Sequence, residues 1–134
     1  MSKTHLIFLV LSLFLLSACG GAAGPVTTLK VDMVEFMFEP RAYSIPASRE
    51  ITLELSNNGA VEHEFVIMKY GTSVGDDFGP EDEANIYWEA ELGPGSAQTF
   101  TFTAPGEPGE YQIVCGTEGH YLAGMVASLA VIAP

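Results

Sequence analysis

Basic residues, histidine and cysteine are all scarce in this chain of 134 residues, which has five Lys and Arg against 17 Asp and Glu, three His and two Cys. So acidic a balance, formally −12, excludes nucleic acid and anionic lipid head groups as electrostatic partners. Simple solubility or a basic protein surface remain as its use. Two cysteines could close one disulfide in an exported protein, yet each has a better separate explanation below, and they are read as unpaired. There is no internal repeat, no low-complexity tract and no glycine-rich phosphate loop, and no apolar run is long enough to span a bilayer as a stable helix.

The apolar run that is present, Leu6 to Leu16, follows Lys3 and precedes the small residues Ser17 and Ala18, as the core of a secretory signal does. Leu16-Ser17-Ala18-Cys19-Gly20 resembles the bacterial lipobox, where the signal is removed and the cysteine is lipidated. This divides the chain into a leader over 1–18, a lipidated Cys19 with a flexible tether over 19–26, and one domain over 27–134. All the acidic residues lie in the mature part while Lys3 is lost, so the formal charge moves from −12 to −13. Acyl chains on Cys19 predict anchoring to the outer face of a bacterial membrane, extracytoplasmic or periplasmic.

From Thr27 onward the apolar residues alternate with period two rather than at helical spacing. Leu29, Val31 and Met33 alternate with Lys30 and Asp32, Ile51, Leu53 and Leu55 with Thr52 and Glu54, and Phe100 and Phe102 with Thr99, Thr101 and Thr103. Less regular strands are expected at 42–45, 63–70, 110–115 and 125–132. Pro40, Pro46, Asn57-Asn58-Gly59, Gly93-Pro94-Gly95 and the Pro105 to Gly109 run punctuate them. The pattern predicts an all-β, antiparallel β-sandwich of seven or eight strands with little helix. One irregular region lies around 71–92: its first half, with Asp76, Asp77, Glu81, Asp82 and Glu83, reads as an exposed acidic loop, and 85–92 reads as a strand or a single helical turn.

The stretch with chemistry in it is Cys115-Gly116-Thr117-Glu118-Gly119-His120-Tyr121-Leu122-Ala123-Gly124-Met125. It sets a thiol, an imidazole and a thioether at intervals of five residues between two apolar runs. The one further histidine of the mature chain, His63, opens a predicted strand just after the turn at Asn57 to Ala60. Taken singly, each reads as ordinary: a strand-end histidine, a small core cysteine, a core methionine. Taken together, His63, Cys115, His120 and Met125 make the donor set that serves both Cu(I) and Cu(II), two imidazoles and a thiolate with a weak axial thioether.

Asn58-Gly59-Ala60-Val61-Glu62-His63-Glu64-Phe65, followed by Gly109 to Cys115 and the loop to Gly124-Met125-Val126, resembles the cupredoxins of the plastocyanin and azurin superfamily over roughly Val31 to Ile132. The spacing Cys-x4-His-x4-Met is similar to that of auracyanin and rusticyanin. The resemblance implies a Greek-key cupredoxin sandwich and one type 1 copper ion, bound by His63 and His120 through Nδ1, by Cys115 through a short bond and by Met125 as distant axial ligand. It also implies that His120 lies near the surface as the electron port, with Tyr121, Leu122, Ala123 and Gly124 forming part of an apolar docking patch. Many relatives carry Asn or Ser after the first histidine, where it braces the ligand loop. Here Glu64 stands in that place, so the bracing is expected to be wired differently.

The function expected is that of a monomeric, membrane-tethered one-electron carrier serving redox protein partners, and not an enzyme, because four protein ligands leave no open metal position for substrate. Two histidines are also too few for a multicopper oxidase or nitrite reductase, and one loop cysteine is too few for a binuclear centre. The alternatives are a copper carrier or chaperone, which would favour exposed methionine and histidine clusters, and a metal-free immunoglobulin-like interaction module. Met33, Met37 and Met68 read as core, and Phe36, Phe38, Phe65, Tyr87, Trp88, Phe100, Phe102 and Tyr111 as core or sandwich-edge packing rather than an electron relay.

Overall fold

The alternating segments of the sequence become strands in the computed structural model, which describes residues 24–134. The leader and the lipidation at Cys19 fall outside the described residues. In chain order the elements are β1 Thr28–Val34, β2 Met37–Glu39, β3 Ala42–Pro46, β4 Glu50–Asn57, β5 His63–Met68, a 3-10 turn at Glu83–Asn85, β6 Ile86–Leu92, β7 Ala97–Thr103, β8 Gly109–Cys115 and β9 Val126–Ile132. Two sheets result, ordered β2-β1-β4-β7 and β3-β9-β8-β5-β6. The all-β sandwich is as expected, and the described residues contain no α-helix.

The count and the pairing differ from expectation. There are nine strands, and the sheets are mixed rather than wholly antiparallel: β1 runs parallel to β4, with Leu29 opposite Leu53, and β3 runs parallel to β9, with Tyr43 opposite Leu129. Alternation reports which face of a strand is buried and carries no sign of the neighbour's direction. Strand β2 was not expected at all, because three residues after a tight turn give too short a pattern. Region 85–92 is a strand after a 3-10 turn, and β5 stops at Met68 rather than Tyr70 because the Lys69 N–H turns to the Asn85 carbonyl.

The inward faces of both sheets make one core. Leu29, Val31 and Met33 of β1, Ile51, Leu53 and Leu55 of β4, Phe65 and Ile67 of β5, and Ile113 and Leu129 of β8 and β9 are all sealed in it. Burying each such side chain is worth roughly 1.5–3 kcal/mol. Phe65 sits edge-on to Phe38 at 5.4 Å and to Tyr43 at 6.4 Å, so residues of both sheets interlock immediately beneath the end of the sandwich where β5 begins and β8 ends.

Strand β5 is buried on both faces, and the reason is the region after it. Val74 and Phe78 of the acidic segment, with Ile86, Tyr121 and Val126, pack on Val66, Met68 and Val114 across the outer face of the second sheet. The segment is thus a cover over that sheet and not the exposed loop its charges suggest. Asp82 is buried and accepts the Gly79 N–H at 3.0 Å, while Asp76 and Glu81 stay in solvent.

Candidate metal centre

Residues that are far apart in sequence are brought to one end of the sandwich by antiparallel pairing of β5 with β8, in which Phe65 lies opposite Cys115. His63 opens β5, Cys115 closes β8 and Met125 immediately precedes β9. The turn from Gly116 to Gly124 is a closed circuit of backbone bonds. The His120 N–H bonds to the Thr117 carbonyl, Met125 N–H to His120, Gly124 N–H to Tyr121, and Cys115 N–H to Met125, all within 2.8–3.1 Å. Gly119 and Gly124 take φ values of 76° and 94°, which a side chain would resist, so the glycines are what allow the loop to close on itself.

The three strong donors converge. His63 Nδ1 is 3.2 Å from His120 Nδ1, Cys115 Sγ is 3.4 Å from His120 Nδ1 and 3.9 Å from His63 Nδ1. The centre of that triangle lies about 2 Å from every corner, the length of a metal–imidazole bond. His63 and Cys115 are fully buried, His120 is 9% exposed, and Met125 is fully buried at the foot of the same loop. Burial and the nearby His120 ring push the His63 pKa down, which favours the neutral ring that can bind a cation. Among the described residues, His63, Cys115 and His120 are the group of His, Cys and acidic side chains whose donor atoms fit one metal ion. Soft thiolate and thioether with two imidazoles is a donor set for copper rather than for a hard cation.

The chain matches the cupredoxin-like domain over residues 5–127. The protein belongs to the cupredoxin family. It is 32% identical to auracyanin-B of Chloroflexus aurantiacus over 110 residues, 70% of this chain and 46% of the relative, so it spans about half that relative's length. It is 30% identical to auracyanin-A of the same organism over 79% of this chain and 82% of the relative. The solved structure of auracyanin A, described as a "blue" copper protein, aligns at a TM-score of 0.63 over 81% of this chain and all of the other. Dithionite-reduced auracyanin from the photosynthetic bacterium Roseiflexus castenholzii aligns at 0.69 with 31% identity, over 81% of this chain and 99% of the other.

Within this cupredoxin the wiring around the donors departs from the sequence reading in several places. The backbone N–H of Glu64 points at Cys115 Sγ, 3.4 Å away, while its side chain lies over Gly116, where an added Cβ would overlap the carboxylate. Burial, then the charges of Glu89, Glu91 and Glu83, push the Glu64 pKa up to about 7. The brace across to the ligand loop is instead Thr117 Oγ1, which donates to the Glu62 carbonyl at 3.2 Å and so ties the loop to the residue before His63. Tyr121 is no part of an exposed patch: it is half-buried and its hydroxyl donates to the Val74 carbonyl, tying the ligand loop to the segment that covers the sheet. Leu122 is 71% exposed, and Ala123 and Gly124 lie in solvent beside it.

Three features were missed. Asn57, fully buried, bonds the carbonyls of Val61 and Leu92 at 2.8 Å each through Nδ2 and accepts the Gly59 N–H, which fixes the turn leading into His63. Phe36, expected in the core or at a sandwich edge, is 45% exposed on the β1–β2 turn with φ 62° and meets the His120 ring edge-on at 5.3 Å. Met37, also expected in the core, is only half-buried. The Asn57-Asn58-Gly59 signature marked a turn but not a buried amide. Phe36 followed by Met37 and Phe38 breaks the alternation, which was the available sign of a turn.

Proposed function

We propose that the protein is a one-electron carrier that holds a single copper ion between His63, Cys115, His120 and Met125, tethered outside the cytoplasmic membrane through Cys19. The observation that carries this reading is the convergence of two Nδ1 atoms and one Sγ at metal-binding separation in a buried site. Auracyanin A, the relative described as a "blue" copper protein, supports it. Bound copper supplies the Cu(I)/Cu(II) couple. The chain supplies ligands that suit both states and a closed backbone circuit that keeps them in place as the charge changes.

Buried donors and the absence of an open metal position favour electron exchange over catalysis. They also disfavour delivery of copper to another protein, since that exchange needs ligands a partner can reach, and Met33, Met68 and Met125 are sealed in the fold. His120 is the donor nearest solvent, so electrons enter and leave on its side of the site, beside the exposed Leu122 and Phe36. The strongly negative charge favours a redox partner with a basic docking surface.

Titration of the leaderless protein with Cu(II), followed by visible absorption and a redox titration, tests this reading. One equivalent should give an intense blue band that bleaches and returns over a reversible one-electron cycle, and Cys115→Ser should abolish it. A colourless protein that takes only Cu(I) and yields it to a chelator would support a carrier of copper instead.

A further inference from the structure

The Nε2 atom of His63 is fully buried and has no hydrogen-bond partner. An orphaned ring N–H of this kind costs about 1–3 kcal/mol, which without a partner favours the other tautomer, with the proton on Nδ1 where the metal donors converge. A carboxylate from a different part of the fold faces it: Glu35 Oε1 lies 3.9 Å from Nε2. We propose that Glu35 is the positioning residue of the metal centre, holding the His63 proton on Nε2 and placing a fixed negative charge beside the ion.

Several independent contacts aim Glu35 there. It stands at the tip of the hairpin between β1 and β2, next to Phe36, whose φ of 62° turns the chain back over the site and lays the aromatic ring against His120. The same Glu35 oxygen accepts the backbone N–H of Ala60, which ties the hairpin tip to the turn before His63. Gly59 lies between the two groups: a Cβ there would stand 2.6 Å from Glu35 Oε1 and 2.7 Å from His63 Nε2, so the absence of a side chain is what lets them face each other. A separation of 3.9 Å is too long for a direct hydrogen bond. A movement of about 1 Å by an exposed side chain, or one bridging water, completes it. A metal-binding histidine whose far nitrogen meets a carboxylate is fixed in tautomer and orientation and becomes a stronger donor.

The inference deepens the copper reading, and one arm of its test needs no metal. In the metal-free protein, 15N shifts of the His63 ring should report a proton on Nε2, and Glu35→Ala should turn this into a mixture of tautomers. In the copper-loaded protein, Glu35→Gln keeps an oxygen acceptor for Ala60 but removes the charge, so the reduction potential should rise as Cu(II) loses its neighbour. Glu110→Gln, at the far end of β8 from Cys115, removes the same charge at a distance and should shift the potential less. A His63 tautomer unchanged in Glu35→Ala would overturn the proposal, as would a potential shift in Glu35→Gln no larger than that of Glu110→Gln. A parent protein that bound no copper would overturn the function and leave Glu35 to be decided by the tautomer alone.

Discussion

Glu64 is the residue whose chemistry differs most between what its type suggests and what its surroundings allow. Burial against Gly116 and the charges of Glu89, Glu91 and Glu83 raise its pKa from an ordinary value near 4.5 to about 7. A folded-state pKa above the unfolded one favours folding while the group is protonated, so this contribution is present below about pH 4.5 and is lost as pH rises to about 7. In the metal-free protein Glu64→Gln should therefore gain stability relative to the parent as pH rises across that window, measured by urea midpoints at pH 5 and pH 8. Equal differences at the two values would contradict it. His63 acts in the opposite sense, since its lowered pKa costs stability as pH falls below about 6.5, and comparing the two proteins at each pH cancels that term. Phe36 makes a second residue-scale case. Its left-handed backbone is costly for any side chain, so Phe36→Gly relieves the turn while uncovering one side of His120. The variant should fold as stably as the parent within about 1 kcal/mol, and its metal-free His120 should react faster with a histidine-modifying reagent.

Two turns and a loop do the work at the scale of elements, and they differ in how far the sequence reveals them. The loop from Cys115 to Met125 was legible because its donor residues sit at regular intervals between two apolar runs. The joining of His63 to it was legible because few histidines exist to choose from. What could not be read was the bracing: Asn57, Thr117 and Glu35 act through hydrogen bonds or charge across 2 to 55 residues of sequence, and polar residues of these types in turns look alike whether they point inward or out. The same limit hid the parallel pairings, since a period of two fixes a strand's buried face and nothing about its neighbour. The acidic segment misled for a related reason, because its charges were counted while Val74 and Phe78, which hold it down, were too sparse to form a pattern. Asn57→Ala tests the bracing directly. It strips partners from the Val61 and Leu92 carbonyls and the Gly59 N–H, and should cost about 2–4 kcal/mol in a denaturant titration. A cost below about 1 kcal/mol would mean that the turn holds itself.

The whole molecule is a two-sheet body with its metal donors at one end and a formal net charge of −12. Long-range attraction to a basic partner is screened over about 10 Å at 0.1 M salt, so the bimolecular rate of electron transfer to such a partner should fall steeply as salt rises. A rate independent of ionic strength would show that the charge serves solubility only. The fold itself, through the closed loop and the buried strand ends, should present one set of ligands to copper in both oxidation states. X-ray absorption at the copper edge of the loaded protein, oxidised and then reduced, tests it most directly. One short bond to the Cys115 sulfur and two to imidazole nitrogens are expected in both states, with scarcely altered lengths. Loss of an imidazole, or gain of a further oxygen ligand, in either state would contradict it.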